Sequence, residues 1–137
     1  MKAGSINGLL VILVLFHIFI GCASMDLKVD TLPVSNDYGR LAPRVSADKC
    51  AYYVKDNVPD ASTYTVLAQY VVQETSTVIT ARSSQTMICH VYREAIKAGA
   101  DAIIVDDIGT TGVGGYGRTT PIVKIRAIRF KGDVPKQ

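Results

Sequence analysis

Polar and apolar positions along the chain change period several times, and each change marks an element. Leu9 to Ile20 is an apolar run interrupted by His17 alone, with Met1-Lys2 at the start of the chain before it and Gly21-Cys22 after it. From Ala23 to about Ala47 neither a helical nor an alternating period is sustained, and Pro33, Gly39 and Pro43 interrupt the chain. Regular pattern begins near Asp48. Cys50-Ala51-Tyr52-Tyr53-Val54 reads as a short strand and Asn57-Val58-Pro59-Asp60 as a turn. Tyr64 to Gln73 alternates, which predicts that Tyr64, Val66, Ala68, Tyr70 and Val72 share one face. Val78-Ile79-Thr80 continues that strand or makes another.

A 3.6-residue period then takes over. Ser83 or Ser84 is the expected N-cap of a helix reaching Ala98, with Gly99 closing it in a left-handed conformation. Met87, Ile88, Val91, Tyr92, Ala95, Ile96 and Ala98 form its apolar face, with Gln85, His90, Arg93 and Lys97 largely opposite. Ala102 to Val105 is uniformly apolar, as expected of a strand covered on both sides. A loop is expected from Gly109 to Arg118, then a last strand from Pro121 to Phe130. Its alternation breaks at Ala127-Ile128, which suggests a bulge or a frayed end. The order β-β-(β)-α-β-β predicts an α+β fold, one helix packed on a small, mostly antiparallel sheet.

The first apolar run is too short for a permanent span. Its twelve residues reach roughly 18 Å as a helix, against about 30 Å of hydrocarbon. A basic start, a short apolar core and Gly21-Cys22 instead resemble a bacterial lipoprotein signal, in which Cys22 is lipidated and becomes the new N-terminus. The expected organisation is a signal at 1–21, a lipidated cysteine and tether at 22–47, and a domain at 48–137. Leu32, Val34, Leu41 and Val45 are apolar enough to dock part of that tether on the domain. Ala23 follows the cysteine, and by resemblance to sorted lipoproteins this implies the outer membrane, facing the periplasm.

Charge and cysteine count sharpen the picture. Removing 1–21 from the 137-residue chain leaves 116 residues, one domain's worth. The net charge of +3 falls to about +2, too mild and too dispersed for a nucleic-acid partner. Of the three cysteines, a lipidated Cys22 leaves Cys50 and Cys89 as an even pair in an oxidising envelope. A disulfide between them is expected, the alternative being two buried thiols.

The remaining candidates for chemistry are sparse. Gly112-Val113-Gly114-Gly115-Tyr116-Gly117 matches the spacing of a dinucleotide loop, but a strand and not a helix follows it. It reads as a hairpin loop, with Tyr116 and Arg118 as candidate binding residues. Cys89 and His90 point about 100° apart on a helix, whereas His90 and Glu94 are one turn apart and are the weak candidates for a metal site. Asp106 and Asp107, adjacent on a strand, are expected on opposite faces and hence not as an acid–base pair. Ser83, Ser84 and His90 lack a carboxylate placed to orient the histidine. Lys124, Arg126, Arg129 and Lys131 make the last strand basic, an edge guard or a patch for anionic envelope polymers. No catalytic set and no cofactor site emerges, and a non-enzymatic structural, sensing or partner-binding role is expected. The partner is an envelope protein or a second copy of the chain; the alternative function is periplasmic metal binding.

One run carries a family resemblance. Ala95-Ile96-Lys97-Ala98-Gly99-Ala100-Asp101-Ala102-Ile103-Ile104-Val105, within Tyr70 to Phe130, resembles the heavy-metal-binding-domain family of small bacterial proteins. It is also similar to the envelope lipoproteins that include an outer-membrane stress sensor feeding a phosphorelay. The resemblance implies a capped helix leading into a buried strand and hairpin. It implies no catalytic residue, and the stress sensor carries two disulfides where this chain has cysteines for one.

Overall fold

The alternating segment Tyr64–Glu74 lies second in a five-stranded sheet. Among the described residues the strands in chain order are β1 (Leu27–Pro33), β2 (Tyr52–Val54), β3 (Tyr64–Glu74), β4 (Ala102–Val113) and β5 (Arg118–Phe130), and one α-helix, α1 (Ser84–Lys97), lies between β3 and β4. The computed structural model describes residues 27–75, 84–113 and 118–136, with backbone alone at 111–113 and 118–119. Cys22, Val78-Ile79-Thr80, Ser83 and Tyr116 lie outside the described residues. The sheet order is β1-β3-β5-β4-β2. All pairs are antiparallel except β2 with β4, which is parallel. The fold is α+β.

Two apolar layers hold the sheet. On one side α1 buries Met87, Ile88, Val91, Tyr92, Ala95 and Ile96 against Leu67, Ala68, Tyr70, Val72, Ile103, Val105, Val123, Ile125 and Ala127. On the other side a smaller cluster of Tyr64, Ala102, Ile104, Ile128 and Phe130 packs with Tyr53, Val58, Val66 and Val134. Neighbours in a strand point to opposite faces, so Ala102-Ile103-Ile104-Val105 feeds both layers, and this is why the run is apolar throughout.

Two bulges alter the expected faces. Val66 pairs with Ile128 and Ala68 with Ala127, so Leu67 is an extra residue in β3. Both Leu67 and Ala68 face α1, while Tyr64 and Val66 belong to the opposite layer. The five residues expected on one face are therefore divided by this bulge. In β5 the alternation continues unbroken. Its even positions change from Lys124 and Arg126 to Ile128 and Phe130 where the second layer begins, and the bulge itself lies in β3. A second register shift makes Asp106 an extra residue in β4.

The segment 22–47, expected as a tether, contains a strand. Leu27–Pro33 pairs along its whole length with β3. Only Leu27 and Val29 turn toward the core, so the strand is too short and too exposed to show an alternation of its own. The hairpin also exceeds expectation: β4 and β5 pair out to Val113 and Arg118, so much of the expected loop is ladder.

Between β1 and β2 the chain runs back along α1 from its C-terminal to its N-terminal end. Gly39 N–H donates to the Ala98 carbonyl (2.8 Å) and the Tyr92 hydroxyl to the Ser46 carbonyl (3.0 Å). Cys50 is bonded to Cys89, and the Tyr52 hydroxyl donates to Gln85 Oε1 (2.6 Å). Tyr38, Val45 and Ala47 pack against the helix layer. This strap gives residues 38–52 a structural role.

Candidate functional site

Three features of α1 and the sheet have defined geometry. The first is the cystine. Cys50 precedes β2, Cys89 sits on the second turn of α1, and their Cα atoms are 5.3 Å apart. Gln85 Nε2 donates to Cys89 Sγ (3.3 Å) while its Oε1 accepts from Tyr52. Helix and edge strand are thus joined covalently and by a hydrogen-bonded side chain one turn away. The expected pairing of Cys50 with Cys89 is present.

The second feature is a carboxylate that locks the strap to the core. Asp101 is buried, directly after the helix cap. It accepts from Arg44 Nε (3.0 Å), from Arg44 Nη2 and from the Phe130 backbone N–H (2.8 Å). Arg44 also donates to the carbonyls of Phe130 (2.7 Å) and Gly132 (3.1 Å). The Asp101 hydrogen bonds hold the Arg44 guanidinium's affinity for its proton above the usual arginine value. Two residues before Asp101, the Gly99 carbonyl accepts from Arg129 Nη1 (2.5 Å), which also reaches the Ala42 carbonyl (3.1 Å). Neither Arg44 nor Asp101 stands out from pattern alone; an aspartate between a capping glycine and a buried strand was the available signal.

The third feature is the sheet face left uncovered by the smaller layer. Arg126 forms a two-pronged ion pair with Asp106 (Nη2 to Oδ1 2.6 Å, Nε to Oδ2 2.7 Å), and Lys124 Nζ lies 4.0 Å from Asp107. Lys124 and Arg126 are two residues apart on one strand, so both aspartates lie on the same face. The bulge at Asp106 corrects the expectation that they diverge. Arg126 is thereby pushed up from the ordinary arginine range. Half of the expected basic stripe is neutralised by adjacent carboxylates.

The other sequence candidates are placed as follows. His90 and Glu94 are one helical turn apart; His90 is half-buried, and Glu94 Oε1 accepts from Lys97 Nζ (3.0 Å). No cluster of three or more His, Cys, Asp or Glu occurs among the described residues. Arg118 is a strand residue opposite Val113, and its proposed loop partner Tyr116 lies outside the described residues. Within the core, Tyr38 and Tyr70 share a hydroxyl–hydroxyl bond (2.9 Å). Burial, and then this bond, push the Tyr70 phenol far above its ordinary range. Such a tyrosine serves packing and not proton transfer near neutrality.

Comparison with protein-family models, with curated proteins and with solved structures gave no match. No helix among the described residues is long and apolar enough to cross a membrane.

Proposed function

We propose that this chain is a lipid-anchored protein of the bacterial envelope, held in the outer membrane through Cys22, with its domain facing the periplasm and serving a non-enzymatic structural, sensing or partner-binding role. The observation that carries the reading is the Cys50–Cys89 disulfide. A stapling cystine belongs to an oxidising compartment, and it leaves Cys22 as the one cysteine outside the pair, directly after an export-type apolar run. The capped helix running into Ala102–Val105 is in keeping with the resemblance to small envelope domains.

The test uses the full chain expressed in a two-membrane bacterium. Intact mass of membrane-extracted protein is expected to show an N-terminal cysteine carrying acyl chains, and Cys22→Ala is expected to move the protein out of the outer-membrane fraction. An unmodified Cys22 in a soluble, processed protein overturns the proposal.

A further inference from the structure

We propose that β1 is a self-pairing edge: two copies of this chain align β1 antiparallel to β1 and join their sheets into one. β1 is the outermost strand, with β3 on one side and no described strand on the other. Its hydrogen-bonding phase follows from Val34 N–H donating to the Leu67 carbonyl (2.9 Å). In an antiparallel ladder such pairs alternate, so Leu32, Asp30 and Lys28 direct their main-chain groups to β3. Leu27, Val29 and Thr31 direct theirs outward. Pro33 has the outward phase but no N–H, so the row of free donors ends at Thr31.

Side-chain charge selects the partner and the register. Lys28 and Asp30 share the face away from α1, both largely exposed, with Nζ and Oδ2 3.2 Å apart. A two-fold axis through Val29 places Val29 opposite Val29 and Leu27 opposite Thr31 of the second copy. Six main-chain hydrogen bonds then use every free donor and acceptor of the three outward residues. The same axis sets Lys28 of each copy opposite Asp30 of the other. A shift of two residues one way puts Asp30 against Asp30 and brings Pro33 into the ladder. The other way it puts Lys28 against Lys28, and like charges directly opposite are destabilising. A shift of one residue sets the outward main-chain groups of one copy opposite inward-directed residues of the other, and the ladder is lost. An edge lysine alone guards against pairing; with Asp30 on the same face, the guard becomes half of a self-complementary pair. The pairing depends on β1 and not on lipidation of Cys22.

The register gives a test with two differently tagged full-length chains expressed in one cell, one bearing Lys28→Cys and the other Asp30→Cys. Directly opposed residues on a pair of this kind have Cα atoms about 4.5 Å apart, within disulfide range, whereas identical positions are offset by two residues. The expected result is a disulfide-linked heterodimer carrying both tags, several-fold more abundant than either homotypic dimer and absent between wild-type chains. The purified full chain in mild detergent is expected to be dimeric by light scattering. Among main-chain donors Val29→Pro removes only an outward N–H and none that bonds β3, and it is expected to give a monomer with an unchanged circular-dichroism spectrum. Heterotypic cross-linking no greater than homotypic or wild-type levels overturns the proposal, as does a dimer that survives in Val29→Pro. If Val29→Pro alters the fold, the cross-linking result decides.

Discussion

Asp101 shows how much one buried carboxylate organises. It receives the Phe130 N–H at the end of β5 and the guanidinium of a residue 57 positions earlier. Replacing it with alanine leaves a buried N–H without an acceptor and strips Arg44 of its counter-charge. Arg44 is partly exposed and regains water, which moderates the loss. Asp101→Ala is expected to lower unfolding free energy by about 2 to 3 kcal/mol, measured by urea denaturation, with Asp101→Asn losing less because it keeps an acceptor oxygen. The aspartate was visible in the sequence as part of the run from Ala95 to Val105. Its partner was not. A hydrogen bond between distant positions leaves no periodic trace, and Arg44 sits in a stretch with no period to interrupt.

At the scale of elements, α1 was legible in its C-terminal cap and across both faces, because a 3.6-residue period states rotation and length together. Its termination is set by Gly99. The Gly99 N–H donates to the Ile96 carbonyl and the Ala100 N–H to the Ala95 carbonyl, with Gly99 at φ +98°, the pairing of a Schellman cap. A Cβ there would come within 2.7 Å of the Leu41 carbonyl oxygen, so the strap adds a steric requirement to the conformational one. Gly99→Ala is expected to cost about 2 kcal/mol, lowering the melting temperature by roughly 10 °C. Gly39→Ala shares the positive φ but meets open space, and is expected to cost about half as much in the same melts. The strands were less legible than the helix. The bulges at Leu67 and Asp106 arise from how a strand meets its neighbour, and a period-2 pattern read along one strand does not contain the neighbour. β1 escaped for the opposite reason: seven residues with two inward side chains fall below any threshold of alternation.

For the whole molecule, the α+β class followed from the order of elements, while the closure of the structure by strap and cystine needed coordinates. The disulfide spans a separation of 39 residues. In the chain-entropy account, closing such a loop stabilises by roughly 3 to 4 kcal/mol, so Cys50→Ser with Cys89→Ser is expected to unfold at lower urea by that amount. Reduction of the wild-type protein is expected to reproduce the shift, and a reduced protein as stable as the oxidised one would refute the assignment of the staple as a main support.

The incorporation of Leu27 into the sheet changes what an anchor at Cys22 does. A tether running to Ala47 would let the domain range up to roughly 80 Å from the membrane, whereas the four residues between Cys22 and β1 allow at most about 17 Å. On the proposed anchor the domain is a surface layer and not a probe on a line. Its encounters are lateral, governed by copies per unit membrane area. An edge contact is in that setting re-formed after each separation, because its partner has diffused no further than the plane permits.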